Sequence, residues 1–476
     1  MAVGDRESVE LAPVAQVARR VPRAVRQVVE RLQRAGYSAH PVGGCVRDSL
    51  VGRRVGDWDL TTDARPEQVG PLFDKVIPTG VEHGTVTVLV GRWPIEVTTY
   101  RGETAYSDGR HPDRVLFLDS IEADLERRDF TINAMALDLA TPRLIDPFGG
   151  RRDLRRGLIR AVGRAADRFA EDGLRPMRAV RFAAVLDFEI EPATFAAIEP
   201  AAPVFAKVAL ERIREELLKL LGGKRPAKGI ELLRRGGLLE HVLPGLAAGC
   251  GHPQNRFHRH DVYHHALRCL EKARGDPVLK LAVLLHDIGK PATAAGPPGE
   301  HTFYCHERES AAQADRMLAR LRFSNRDRER VRVLIANHMF HYEPQWTDGA
   351  VRRLIRRVGL ERLDDLWEMR RADAWGRGPG LHRALANLRA LQARVDKVLA
   401  EQDALSVKDL AIDGRDVMRV LGCGSGPRVG QVLDALLERV LDEPALNRHD
   451  RLLELVAEQD RSPGAGTEPG AGGSCG

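Results

Sequence analysis

PVGGCVRDSLVGRRVGDWD, residues 41–59, runs from an apolar lead-in through a glycine pair and an Arg-Asp step to two aspartates one residue apart. Alternate residues of a strand face the same way, so an extended Asp57-Trp58-Asp59 sends both carboxylates to one side, roughly 6–7 Å apart along the backbone. Two carboxylates so placed can share one magnesium ion or a pair, while the amides of a neighbouring glycine turn hold triphosphate oxygens. In-line phosphoryl or nucleotidyl transfer requires that combination.

Working outward, residues 21–35 space Val25, Val28, Val29 and Leu32 for an amphipathic helix that stops at Gly36. Residues 37–46 read as a strand entering the glycine turn, 47–52 as a short helix, and 57–61 as the next strand. Residues 81–90 and 94–100 are β-branched and alternating, which predicts two more strands. The second carries Glu96, which either completes a carboxylate trio with Asp57 and Asp59 or faces solvent. Residues 101–119 combine Gly, Pro, Asp and Arg in a stretch long enough for a mobile functional loop. In IEADLERRDFTINAMALD, Asp124, Arg127 and Arg128 open a predicted helix with Phe130, Ile132, Met135 and Ala136 packed inward. Adjacent arginines can hold phosphate oxygens in pairs, or simply form a surface ion pair.

Asp172, Arg175, Arg178 and Arg181 recur every third position, a row along one side of a helix that Pro176 allows to begin between residues 173 and 177. Such a row can offer donors and acceptors to a nucleobase edge, or it is an ordinary charged face. The helices continue through residue 221, and then the composition changes. Five histidines fall between residues 252 and 265, VLKLAVLLHDIGK carries the adjacent His286 and Asp287, and His306, His338 and Asp373 follow. An Asp beside a His at the end of a core helix needs partners, and a metal supplies them economically. Each imidazole taken alone is equally readable as a capped or surface residue. Beyond residue 375 the chain reads as charged helices to about residue 459, and the Gly/Ser/Pro-rich residues 461–476 read as disordered.

With 476 residues and 43% hydrophobic content, the chain is too long for one compact unit, and roughly two to four domains are expected. Lys and Arg number 73 against 67 acidic residues, a net +6 that favours a polyanionic partner without excluding an ordinary solvated surface. Six scattered cysteines without a CxxC pair predict neither a disulfide framework nor a thiolate zinc site. No signal-peptide core and no run of about 18 apolar residues is present, so a cytoplasmic location without a membrane partner is expected.

GGCVRD with DWD, then RRDFTINAMALD, LIDPFGGRRDL and EDGLRPMRAVRFAA, in that order, resemble the class II tRNA nucleotidyltransferase and poly(A) polymerase family over residues 41–184. Residues 252–373 are similar to an HD-type metal phosphohydrolase domain, which some bacterial CCA-adding enzymes carry. The resemblance implies an α+β chain: a β-polymerase-like head of mixed sheet and helices, followed by all-helical parts. The division expected is a leader (1–20), a head (21–150), a helical neck and body (151–250), an HD domain (251–376), a helical tail (377–460) and a disordered end.

It further implies that Asp57 and Asp59 hold magnesium ions, and that Gly44 and Arg47 contact the triphosphate or sugar and Arg128 the nucleotide. Asp172 and Arg175 would pair with the edge of incoming CTP or ATP, with Arg178 and Arg181 in support. In the HD segment it implies His265, His286, Asp287 and Asp373 as metal ligands, with His264 the alternative to its neighbour. His306 and His338 would suit a second ion, and a divalent transition metal such as Ni2+, Mn2+ or Co2+ is expected there. The implied partners are the tRNA 3′ end, CTP and ATP; the oligomeric state stays open. The implied activity is template-independent CCA addition with release of pyrophosphate, plus phosphohydrolysis. The 101–119 loop favours full CCA addition, since its loss accompanies CC-only enzymes in the family. The alternatives are a poly(A) polymerase or a partial CC- or A-adding enzyme, and a phosphohydrolase whose inactive head binds RNA. The HD segment argues against the first of these, and intact Asp57 and Asp59 against the last.

Overall fold

A computed structural model of the chain describes residues 8–104, 114–255, 259–297, 300–340, 342–378, 380–401 and 404–461. The chain forms two compact units, Met1–Val242 and Leu243–Gly476, in a mixed α+β architecture whose strands lie almost entirely in the first. No helix among the described residues is long and apolar enough to cross a membrane.

The first unit is built on a five-stranded sheet. Its strands are β1 (Ala39–Pro41), β2 (Asp59–Thr62), β3 (Val76–Gly80), β4 (Thr85–Val90) and β5 (Trp93–Thr99), in the order β1-β2-β5-β4-β3. Only the β2–β5 pair is parallel, and its register sets Asp59 opposite Glu96 and Leu60 opposite Val97. Leu60, Val88, Ile95 and Val97 are fully buried, and the Arg23–Arg34 helix adds Val25, Val28, Val29 and Leu32 to the core, as its periodicity predicts.

Four expectations change. The strand expected over residues 37–46 is only Ala39–Pro41, because Gly43 adopts φ 79° and the chain enters the Gly44–Leu50 helix at once. The helix expected through Ala136 stops at Glu126. Its apolar positions are buried instead by a bridge of Phe130 to Ala161, a 3-10 turn at Thr131–Asn133 and a strand, Ala136–Asp138. The arms of the 101–119 loop are strands, Arg101–Thr104 paired antiparallel with Arg114–Phe117; the rest of that loop lies outside the described residues. The strand expected over residues 57–61 begins only at Asp59 and runs to Thr62, leaving Asp57 and Trp58 ahead of it.

The Arg175–Leu186 helix begins within the expected window, with Pro176 in its first turn, where a missing N–H costs nothing. Gly173, just before it, is a packing requirement: a Cβ there would lie 2.7 Å from the Val204 carbonyl oxygen.

The second unit is helical. Helices Val262–Lys272 and Pro277–Leu285 start on Asp261 and Asp276, whose carboxylates accept backbone N–H groups of the first turn. Helices His306–Arg320, Asn325–Ala336 and Leu363–Arg377 pack with them. Residues 404–456 carry a separate core around Val417, Leu436, Leu437, Val440 and Leu452. Cys45, Cys250, Cys269 and Cys423 are free thiols.

Candidate active site and a histidine–aspartate cluster

The first unit contains a cleft of about 420 Å3 whose lining includes Gly44, Arg47, Asp59, Arg128, Asp172 and Arg178. The sheet positions its acidic end. Trp58 is buried just ahead of β2, and Asp59, the first residue of that strand, lines the cleft. The parallel register brings Glu96 of β5 beside Asp59 of β2. Burial first, and then repulsion from Glu96 and Asp57 against the attraction of Arg128, push the Asp59 carboxyl up to about 6. Glu96 and Asp57 are near enough to act on the Asp59 carboxylate, and carboxylate oxygens are the donors that a hard divalent cation such as Mg2+ takes.

The glycine turn holds the next group. Gly43 lies in the left-handed region, and a Cβ there would come 2.8 Å from an Arg128 guanidinium nitrogen. Arg128 donates to Asp124 at 3.4 Å, and its Nε has no hydrogen-bond partner. Asp124 is fully buried, accepts two bonds from Arg127 at 2.8 and 2.9 Å and one from Thr61 at 3.0 Å, and so anchors the Arg pair to β2. Burial alone would raise its carboxyl, but the two arginines outweigh that and hold it below the ordinary range. Arg47 is buried, donates to Asp48 at 2.8 and 2.9 Å, and sits 4.9 Å from the centre of the Phe182 ring.

The row on the Arg175–Leu186 helix is a set of ion pairs facing the cleft. Arg178 donates through Nε and a terminal nitrogen to Asp129 at 2.8 and 2.6 Å. Arg181 donates to Glu216 at 2.8 Å and lies over the Phe182 ring at 3.5 Å. Asp172 caps the chain ahead of this helix, accepting from Leu174 N at 3.0 Å and from Arg212 at 2.8 Å. Arg175 pairs with Glu171 and donates to the carbonyls of Arg168 and Arg127, each at 3.0 Å. Its guanidinium thus ties the helix start to the Arg127–Arg128 segment.

Sequence reasoning did not single out Asp129, Glu216 and Arg212. Asp129 follows the arginine pair directly. Glu216 carries a signal of its own, an acid on the apolar stripe of Ile213, Leu217 and Leu220. Arg212 carries none.

In the second unit, His265, His286, Asp287, His306, His338 and Asp373 converge, each more than nine-tenths buried. Nδ1 of His286, His306 and His338 lies 2.7 Å from the carbonyl oxygen three residues earlier, of Val283, Phe303 and Ile335. Each Nδ1 therefore carries the donated proton, and in the neutral rings each Nε2 presents a lone pair inward.

Those lone pairs face carboxylate oxygens. His306 and His338 stand 3.2 and 3.6 Å from Asp287 Oδ1, and His265 and His286 stand 3.4 and 3.2 Å from its Oδ2. Asp373 Oδ1 lies 3.3 Å from His265, while its Oδ2 is held by Arg370 and Arg377. Lone pair against lone pair is repulsive unless a cation lies between, and His306 Nε2 has no hydrogen-bond partner. The donor set fits one or two divalent metal ions. Of the adjacent candidates, His265 faces the cluster, whereas His264 is turned to Asp261 at the helix cap. A cavity of about 310 Å3, lined in part by Lys290, Phe303, Tyr304 and Arg377, opens from the cluster.

Residues 39–160 match the Poly A polymerase head domain family, residues 187–250 the probable RNA and SrmB-binding site of polymerase A, and residues 302–456 a family described as tRNA nucleotidyltransferase domain 2, putative. The CCA-adding enzyme of Geobacillus stearothermophilus is 33% identical over 436 residues, spanning 91% of this chain and 96% of that protein. That of Lactobacillus delbrueckii subsp. bulgaricus is 49% identical over 220 residues, 46% of this chain and 55% of its own length. The crystal structure of the Bacillus stearothermophilus CCA-adding enzyme in complex with CTP superposes with a TM-score of 0.70 at 33% identity, covering 94% of this chain and 98% of that one. With a relative of that identity matched along nearly its whole length, the chain belongs to the CCA-adding enzyme family of nucleotidyltransferases.

Proposed function

We propose that the chain adds CCA to the 3′ end of tRNA, transferring CMP twice and AMP once and releasing pyrophosphate each time. The observation that carries this reading is one cleft lined by Asp59 together with Arg47, Arg128 and the Asp172, Arg175, Arg178 and Arg181 row. Asp57 and Asp59, with Glu96 alongside, are the residues that would hold Mg2+. When bound, that ion would lower the charge barrier to attack by the tRNA 3′-hydroxyl on the α-phosphorus. Arg128, with an unpartnered Nε, and Arg47 are placed for the triphosphate, beside Gly44.

Asp172 and Arg175 are assigned to the edge of the incoming base, supplying the donor and acceptor pattern that a template base would otherwise present. Arg178 and Arg181 support the nucleotide, and Asp129 and Glu216 keep their guanidinium planes fixed. The finer division into head, neck and body, HD part and tail belongs to this reading.

The test is purified protein with tRNA lacking its 3′ end, Mg2+, and CTP and ATP singly and together. Three nucleotides added only when both are present is the expected result, and Asp57→Ala or Asp59→Ala should abolish it. Unlimited A addition to any RNA would refute the reading.

The histidine–aspartate cluster favours a second activity on the same chain, a metal-dependent phosphohydrolase of the HD type. His265, His286, Asp287, His306, His338 and Asp373 would hold a divalent transition metal, which when bound would supply a nucleophilic hydroxide from water. Lys290, donating to Asp287 at 2.7 Å and to Gln254 at 2.7 Å, fixes the central carboxylate. His286→Ala with Asp287→Ala should remove phosphatase activity and leave CCA addition intact. Retained phosphatase activity in that variant would refute this assignment.

A further inference from the structure

One group at the cluster is unlike the rest. Cys269 lies one helical turn after His265 on the Val262–Lys272 helix and is fully buried. Its Sγ is 3.5 Å from His265 Nε2, the atom that faces Asp287 and Asp373. His265, Cys269, His286 and Asp373 each bring one donor atom to within 4.8 Å of all the others.

The nearest donor separations match one coordination sphere. Bonds of about 2.0–2.1 Å to nitrogen and 2.3 Å to sulfur at a tetrahedral angle place N and N about 3.3 Å apart and N and S about 3.5 Å apart. The corresponding distances here are 3.3 Å for His265 Nε2 to His286 Nε2 and 3.5 Å for His265 Nε2 to Cys269 Sγ. A further observation points the same way. A Cβ at Gly376, on the facing Leu363–Arg377 helix, would run into Cys269 Sγ and lie 3.0 Å from the His265 ring. The absence of a side chain there lets the thiol and the imidazole share one face of the cluster.

We infer that Cys269 is a metal ligand and that its sulfur makes this a zinc-type site, with His265, His286 and Asp373 as the other donors and Asp287 bridging toward His306 and His338. This rests on the reading of the cluster as a metal site and sharpens it. Thiolate sulfur selects a borderline-soft ion such as Zn2+ over Mn2+ or Mg2+, which prefer oxygen. Binding releases the thiol proton to solvent as the metal–sulfur bond forms, with no change in oxidation state.

The experiment is X-ray absorption at the zinc edge on the full-length, zinc-loaded protein, beside the optical spectrum of the cobalt-loaded protein. A zinc–sulfur shell at about 2.3 Å and a sulfur-to-cobalt charge-transfer band in the near ultraviolet are expected. Both should vanish in Cys269→Ala, with the preference for Zn2+ over Mn2+ falling at least tenfold by competition. Zinc bound with nitrogen and oxygen neighbours only would overturn the role of Cys269 while leaving the metal reading standing. No zinc bound to the unaltered protein would overturn both, and the same sulfur shell persisting in Cys269→Ala would overturn the role of Cys269. The absorption measurement on the unaltered protein decides the question even if Cys269→Ala fails to fold.

Discussion

Asp129 is the buried counter-charge of the arginine-lined cleft, and its removal tests the account of the arginine row directly. Its Oδ2 accepts twice from Arg178, at 2.8 and 2.6 Å, and its Oδ1 accepts from Phe130 N at 2.8 Å and Asn133 Nδ2 at 2.9 Å. Asp129→Asn keeps the volume but leaves Arg178 with only Glu216, 3.9 Å away. Breaking a buried pair from one side costs about 3–5 kcal/mol. The Arg178 side chain is 32% exposed, so water recovers part of that, and roughly 2–3 kcal/mol remains. For a unit of this size that is a loss of roughly 4–12 °C in the melting temperature.

The pH dependence has a definite sign. Burial would raise the Asp129 carboxyl, but Arg178 and the Asn133 bond hold it well below the ordinary range. Its stabilisation is therefore complete above the unfolded value of about 4 and fades as pH falls toward the lower folded value. Calorimetry of the full chain should show the whole gap between native and variant protein at pH 7 and a shrinking gap below about pH 4. The KM for CTP and ATP should rise together, since Arg178 loses its fixed plane. A melting shift under about 1 °C at pH 7 would mean that Arg178 is held by something other than Asp129.

Gly43→Ala forces a side chain into φ 79° and against Arg128. A stability loss of about 1–2 kcal/mol in denaturant melts and a sharp fall in nucleotidyl transfer are expected, and normal transfer would show that Arg128 is free to move aside. The Cys45 thiol is pushed up to about 12, first by burial and then by Asp59. At pH 8 it should therefore resist dithiobis-nitrobenzoate while the exposed Cys250 reacts; rapid labelling of Cys45 in the folded protein would contradict this. Gly376→Ala should weaken metal retention in the second unit and leave CCA addition untouched, measured by metal analysis and tRNA end-labelling of one preparation.

The head was legible because its parts are close along the chain. Asp57, Asp59 and the glycine turn lie within 19 residues, although the strand begins only at Asp59, later than alternation around Trp58 suggested. Glu96 needed the structure, because only the parallel register of β2 and β5 sets it beside Asp59. The helix expected through Ala136 failed for a local reason. Phe130, Ile132, Met135 and Ala136 have helical spacing, yet Phe130 is extended and bridges Ala161, and the same side chains are buried by a turn and a strand. The partners of the arginine row were invisible because they lie far away in sequence, Asp129 by 49 residues from Arg178 and Glu216 by 35 from Arg181. Spacing placed the row on one face and carried no information about what faced it. For the histidines, His286-Asp287 at a helix end was the readable signal. The choice of His265 over His264 depended on Asp261 capping the helix and drawing His264 outward.

The two sites differ in donor chemistry, and this leads to a test of the chain as a whole. The ligands proposed in the head are carboxylate oxygens, from Asp57, Asp59 and Glu96. The second unit offers imidazole nitrogens, the Asp287 and Asp373 carboxylates and the Cys269 sulfur. A small hard ion favours the first set, and a borderline transition ion favours the second, because imidazole and sulfur bind Mg2+ poorly. The two metals should therefore not exchange places. Protein stripped with a chelator should regain nucleotidyl transfer on addition of Mg2+ alone while phosphohydrolysis stays absent, and zinc or cobalt at about one equivalent should then restore hydrolysis without changing the transfer rate. If Mg2+ alone restored both activities, the nitrogen and sulfur donors could not be the ligands that matter in the second unit, and the assignment of Cys269 would fall with them.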